Sequence, residues 1–232
     1  LIQNYALLAA GFVCDPARCC TPDAEPSKTR PSNQGFLYAE KAARVYETEG
    51  ENMANIFGDT RQIAYVSADL DGALGHLAGR LGVGPWFVKR DFEVPDCHID
   101  GVATQVVVDA ALAYSGGLQL EVIVQKSAAP TLYSRFLERF GDVLVPHSTS
   151  SWVSDVDAVA ARAQACGFRQ VFDACTGLGR IAYFEHPDRP HFAHEVTEYT
   201  PARQSIFRQI QKAAADWDGN VPIREDWPIP DV

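Results

Sequence analysis

The side chains best able to do chemistry in this chain of 232 residues are its imidazoles, its thiols and a few acids set into apolar runs. His186, His191 and His194 crowd into EHPDRPHFAH, and three imidazoles so close together invite a metal. The same stretch holds Pro187 and Pro190, which favour a turn, so a surface loop at a pocket rim is expected instead. His76 and His98 are expected to be exposed. The cysteines, Cys14, Cys19, Cys20, Cys97, Cys166 and Cys175, show neither paired metal-ligand spacing nor the density of a disulfide scaffold. They read as free thiols. A glycine-rich phosphate loop, a hydrolase elbow and a zinc-protease motif are all absent from the sequence. That leaves the acids. Glu121 stands in LQLEVIVQ, where strand alternation puts it on one face with Gln119 and Ile123. A lone acid of this kind most often faces water, so what matters is whether other polar groups converge on it.

The elements that would position such groups become regular near residue 61. QIAYVSA (Gln62 to Ala68) reads as a strand and LDGALGHLAGRLG (Leu70 to Gly82) as an amphipathic helix with Asp69 at its N-cap. GPWFVKRDFEV, TQVVVDAALAY and LQLEVIVQ follow as strands, separated by Pro95, Asp100-Gly101 and Gly116-Gly117. The same β-α-β-β-β order then restarts with HSTSSWVS, VDAVAARAQACG, FRQVFDA, GRIAYFEH and HFAHEVTEY. Asp69-Leu70-Asp71 returns as Asp155-Val156-Asp157, which marks a duplicated unit. Ser148 shares a strand face with Ser150 and Trp152, and His147 is expected to point the other way. Thr131 to Gly141 reads as a linking helix with a glycine C-cap. Ala202 to Trp217 reads as a further helix, and Pro222, Pro228 and Pro230 mark a tail.

Composition excludes several classes of partner. With 47% apolar residues the chain can bury a core. Lys and Arg total 20 against 30 for Asp and Glu, and a formal charge of -10 repels nucleic acid and anionic membrane surfaces. No apolar run approaches the ~20 residues of a membrane-spanning helix, so a soluble, cytoplasmic protein is expected. Residues 1–52 include the polar AEPSKTRPSNQG and are expected to be disordered or outside the native product, with Met53 as the start. YALLAAGFV (Tyr5 to Val13) is the alternative reading, the end of a signal peptide, although no basic residue precedes it and no small-residue cleavage site follows cleanly.

The order QIAYVSADLDGAL, LGVGPWFV, LQLEVIVQ, SWVSDVDAV and RIAYFEHP with HEVTEY resembles glyoxalase-like members of the vicinal oxygen chelate (glyoxalase/bleomycin resistance/dioxygenase) superfamily. The resemblance covers residues 61–200. It implies an α+β fold in which two βαβββ modules, 61–126 and 146–200, form cupped mixed sheets around a central pocket. Linking helix 131–140 joins them, and 201–232 add a C-terminal helix and tail. It also implies a homodimer, a small-molecule substrate or ligand, and a divalent metal held by one residue from each of four strands. Carried over by position, the first-strand ligands are Gln62 and Ser148, and the carboxylates of the closing strands are Glu121 and Glu195. Many relatives carry His where Ser148 stands, and of their His-His pair this chain keeps His147.

Two carboxylates and an amide oxygen suit a hard octahedral ion, whereas a serine hydroxyl is a weak, neutral ligand. The resemblance does not distinguish Mg, Mn, Ni, Zn or Fe, and a metal-free site stays open. With an ion, the family's chemistry is Lewis-acid support of an enediolate-like charge while Glu121 or Glu195 moves the adjacent proton. Without one, the two acids repel each other in a low-dielectric cup, and one keeps a proton as general acid or base. The expected function is therefore a glyoxalase-like lyase or an isomerase or epimerase, moving a proton next to a carbonyl. The alternative is a bleomycin-resistance-like protein that binds without reacting. Trp86, after Gly84-Pro85, and Trp152, by its strand parity, are the pocket candidates. Extradiol dioxygenase chemistry is disfavoured, since its two-His, one-carboxylate iron site would find Gln62 and Ser148. Neither glutathione nor coenzyme A leaves a signature.

Overall fold

Asp69 and Asp155 show why the chain turns from strand to helix twice in the same way. Asp69 has extended backbone (φ -131°) and accepts a hydrogen bond from the Gly72 amide at 3.0 Å. Asp155 (φ -137°) accepts from the Ala158 amide at 2.9 Å. Each carboxylate satisfies a first-turn donor that has no partner within its helix. The computed structural model describes residues 55–231, so the expectations for residues 1–52 lie outside the described residues.

The described elements run β1 (Thr60–Val66), α1 (Leu70–Gly79), β2 (Trp86–Val94), β3 (His98–Ile99), β4 (Val102–Ala103), β5 (Val106–Ser115), β6 (Leu118–Gln125) and α2 (Leu132–Phe140). They continue with β7 (Pro146–Val153), α3 (Val156–Ala165), β8 (Arg169–Thr176), β9 (Gly179–His186), β10 (Arg189–Glu198), α4 (Pro201–Ala215) and β11 (Ile223–Glu225). The strands make one mixed sheet in the order β11-β2-β5-β6-β1-β7-β10-β9-β8-β3-β4. Its two halves are the two βαβββ modules, so the fold is α+β as expected. In each module the first strand runs parallel to the last, β1 with β6 and β7 with β10. The modules meet where β1 pairs antiparallel with β7, with Gln62 opposite Ser150 and Ala64 opposite Ser148.

The sheet is rolled. β2 and β3 lie near opposite ends of the strand order, yet residues 95–97 alone connect them, a link that reaches no more than about 15 Å. The far flanks must therefore approach each other, which turns the sheet into a cup. α1 covers one outer half with Leu70, Leu74 and Leu77 packed on Trp86, Val88 and Val122. α3 covers the other half with Val156, Val159 and Ala163 on Phe184 and Val196. α4 lies against the inner side of β5, setting Ile206, Phe207 and Ile210 on Leu112 and Tyr114.

Three local expectations are corrected. EHPDRPHFAH is not a loop: β9 runs to His186 and β10 begins at Arg189, so His191 and His194 are strand residues. The prolines are accommodated at the hairpin turn and where the β9–β10 register shifts between Arg189 and His194. The segment around Asp100-Gly101 is more than a break, because β3 and β4 form a small hairpin and β3 pairs with β8. The proline-marked tail contains β11, which joins the sheet parallel to β2.

Because both caps do the same work, Asp69→Ala and Asp155→Ala should each lower unfolding free energy by about 1 kcal/mol, with Asn at either position restoring most of it. Urea unfolding of the single variants measures this. An unchanged midpoint for either alanine variant would show that its cap is not holding its helix.

Candidate functional site

The inner face of the cup carries polar residues at its centre, where strands from both modules run side by side. Gln62 and Ala64 point inward from β1, opposite Ser150 and Ser148 on β7. Glu195 on β10 lies opposite Ser150, and Glu121 on β6 lies opposite Ala64. The amide of Gln62 donates to Glu121 Oε2 at 2.6 Å. The hydroxyl of Thr197 donates to Glu195 Oε1 in a very short contact, and Ser150 Oγ lies 3.4 Å from Thr197 Oγ1. The other Glu195 oxygen and the Ser148 hydroxyl are buried with no hydrogen-bond partner among the described residues.

Above these groups lies a cavity of about 440 Å³, lined by Gln62, Glu121, Glu195 and Arg203, with walls that include Phe92, Leu112, Ile181 and Phe207. Three of the four expected ligand positions therefore share one cavity. Ser148 does not line it: it is fully buried, between Ala64 and Ala193 in the ladder.

Burial, with the neighbouring Glu195 charge next, pushes the Glu121 carboxyl well above the usual range. Burial likewise raises Glu195, against the opposing pull of its Thr197 hydrogen bond and the Arg203 charge. Two acids this close in a poorly hydrated site favour retention of a proton.

Arg203 is the residue that sequence reasoning missed. It stands in the first turn of α4, behind the Thr200 cap and Pro201, and is 3% exposed. Its Nη1 donates to Glu198 O at 2.5 Å and Arg180 O at 3.3 Å, and its Nη2 to Gly179 O and Thr176 Oγ1, both at 3.4 Å. Burial lowers its pKa, while Glu195, Glu198 and Glu121 oppose that shift. A sequence signal existed: a cation in the first helical turn opposes the helix dipole, and such a placement calls for a local reason.

Neither tryptophan candidate lines the cavity. Trp86 is fully buried on the outer face under α1, and its indole donates to Val83 O at 2.8 Å. Strand alternation gives the inner position to Phe87 instead. Trp152 does turn toward α4, but it is stacked on Tyr199 (5.0 Å between centroids) and packed against Phe207. The tryptophan that reaches the cavity is Trp227, on the segment after β11.

His147 also departs from expectation. The β1–β7 register shifts between Ala64 and Tyr65, leaving His147 without an opposite residue. Its ring packs against Phe136 (5.0 Å), Tyr133 (5.6 Å) and Tyr183 (6.5 Å) in the inner aromatic cluster, and burial pushes its pKa down to about 3. His186, His191 and His194 do not form a metal site. His194 stacks on Phe57, His191 meets the edge of Phe140, and His186 meets Phe168. Among the described residues, no three His, Cys, Asp or Glu side chains are grouped to hold a metal.

The donor set Gln62, Glu121, Ser148 and Glu195 is all oxygen, which fits a hard divalent ion. Within the cavity Gln62, Glu121 and Glu195 supply the oxygens, and the unpartnered Glu195 oxygen is one such an ion would satisfy; Ser148 stays outside the lining. Gln62 would have to turn its carbonyl oxygen inward, giving up its bond to Glu121.

A cup built from two βαβββ modules, with acids from both at its base, defines the class of this protein, and the sequence comparison gives its family. The model of the Glyoxalase/Bleomycin resistance protein/Dioxygenase superfamily matches residues 61–184, and the chain belongs to that superfamily. Among solved structures it is similar to a hypothetical protein from Bacillus halodurans C-125 (16% identity, TM-score 0.45), covering 61% of this chain and 94% of that one. It is also similar to methylmalonyl-CoA epimerase from Mycobacterium tuberculosis (18% identity, TM-score 0.45), covering 65% of this chain and 94% of that one. A second methylmalonyl-CoA epimerase shows 22% identity and a TM-score of 0.43, over 62% of this chain and 97% of that one. No curated protein matches. No described helix is long and apolar enough to cross a membrane.

The raised carboxyls make stability depend on pH. A buried acid that keeps its proton in the folded state while the unfolded chain loses it destabilises the fold as pH climbs from about 4.5 toward the raised folded value. In the presence of a chelator, Glu121→Gln should unfold at a higher temperature than the parent at pH 7–8, with the gap closing near pH 4. Calorimetry across that range measures the effect, and a gap that grows toward acid would show that Glu121 is ionised in the native protein.

Proposed function

We propose that this protein is a proton-transfer enzyme, an isomerase or glyoxalase-like lyase, acting on the carbon next to the carbonyl of a small molecule. The observation that carries the reading is the convergence of Glu121 and Glu195, one from each module, on one cavity. Glu195 is drawn toward its ionised form by the Thr197 hydroxyl and the Arg203 charge, so it is the base that takes the carbon-bound proton. Glu121, oriented by Gln62 and kept protonated by burial and the Glu195 charge, is the acid that returns a proton to the enolate or to the neighbouring carbon. Arg203 places a fixed positive charge beside both, which favours the negative charge that develops on the substrate oxygen. A divalent ion held by Gln62, Glu121 and Glu195 would add Lewis-acid polarisation of that oxygen. A homodimer, which the family resemblance implies, belongs to the same proposal.

A second reading, binding without reaction, draws on the apolar walls and on the tail that crosses the cavity. Deuterium uptake from D2O separates the two. A panel of α-hydroxyketones, simple aryl ketones and thioesters should include a compound whose α-hydrogen exchanges in the presence of protein, measured by proton NMR with chelator and with added magnesium or manganese. Glu121→Gln and Glu195→Gln should each slow that exchange by about 100-fold or more. Exchange at the parental rate in both variants would remove the acid–base roles, and a ligand that binds tightly without any exchange would favour sequestration.

A further inference from the structure

The walls and roof of the cavity restrict what can enter it. Two cations line it, and both are already engaged. The terminal nitrogens of Arg203 are committed to three carbonyls and a hydroxyl, so the guanidinium cannot offer its fork to a ligand carboxylate or phosphate. Lys89, which also lines the cavity, stands 3.5 Å from Asp226 in a solvent-exposed pair. An anionic ligand would thus be desolvated with no buried fork to receive it, only the water-screened Lys89. A cationic one would meet Arg203, which already balances the single glutamate charge left when the other acid keeps its proton.

The roof is the segment Trp227 to Pro230, which follows β11 and lines the cavity. Gln209 donates to Ile229 O at 2.9 Å, and the Asp231 amide donates to Ser205 Oγ at 2.9 Å, so the strap is tied to α4 at its far end. The indole N–H of Trp227 is buried and has no acceptor in the described protein. A buried donor without a partner is uncommon, and an acceptor on a ligand in the cavity that Trp227 lines would satisfy it.

We propose that the cavity takes an uncharged, largely apolar carbonyl compound, aromatic or alicyclic, enclosed whole beneath the Trp227–Pro230 strap rather than held as the tip of a long anionic carrier. This deepens the proton-transfer reading in naming its substrate class. The cavity volume suits such a compound, lying within the roughly 300–1,000 Å³ of ordinary ligand pockets.

Equilibrium dialysis at pH 7.5 with 2-acetylnaphthalene, 2-naphthoate, 2-naphthylmethylammonium and acetyl-CoA tests the class. The ketone should bind at least about tenfold more tightly than any of the three ions. Trp227→Ala should weaken ketone binding about tenfold, and Trp227→Phe, which lacks the donor but keeps the cover, by a smaller factor. Equal or tighter binding of any ion, no binding of the ketone up to its solubility, or parental affinity in Trp227→Ala would each overturn the proposal. Deuterium uptake at the methyl group of the bound ketone keeps the two ideas apart. Selective binding of the ketone without uptake leaves this ligand class standing while the proton-transfer reading falls.

Discussion

Two carboxylates enclosed together at the base of an apolar cup are the constraint around which this protein is arranged. Burying like charges in a medium of low dielectric is costly, and the surroundings answer that cost in three ways. Gln62 donates to Glu121, Thr197 donates to Glu195, and the Arg203 guanidinium stands beside both. Arg203 in turn is held by backbone carbonyls at the β8–β9 turn and the end of β10, so the carboxylate environment reaches back into the backbone of the second module. Gly179 belongs to that frame. Its φ of +113° suits glycine, and a Cβ there would come within 2.8 Å of Thr200 and 2.9 Å of Glu198.

The repeat was legible because its signals are local. Apolar periodicity, the Asp69 and Asp155 caps and the glycines after each helix are decided within a few residues, and the elements lie within a few residues of where the pattern puts them. Gln62, Glu121 and Glu195 were named through the family pattern, and the structure sets them together in one cavity. What could not be read depends on contacts distant in sequence or on irregular pairing. The inward turn of His147 follows from a register shift against β1 that no property of PHSTSSWV announces. Trp86 and Phe87 are adjacent aromatics, and which one faces inward is settled by a single step of strand parity. The role of the tail depends on β11 finding β2, more than a hundred residues earlier in the chain.

The C-terminal region changes the character of the site. The matched family segment ends at residue 184, before β10, α4 and the strap. Arg203 and Trp227 both come from beyond it, as do Ile206 and Phe207. The strands that carry Gln62 and Glu121 thus lie in the part common to the superfamily, while much of the enclosure and one permanent positive charge come from the part that follows. Glu195 also lies beyond the matched segment, so the two acids are divided between the part common to the superfamily and the part that follows it.

The seam between β1 and β7 has an evolutionary consequence. A site assembled across two identical subunits must change both contributions at once, because one gene encodes them. Here the two copies lie in tandem on one polypeptide, so each can drift while its counterpart stays fixed. Equivalent places can then hold an amide on one side and a hydroxyl on the other, Gln62 and Ser148, and an ancestral symmetry becomes a pair of specialised halves.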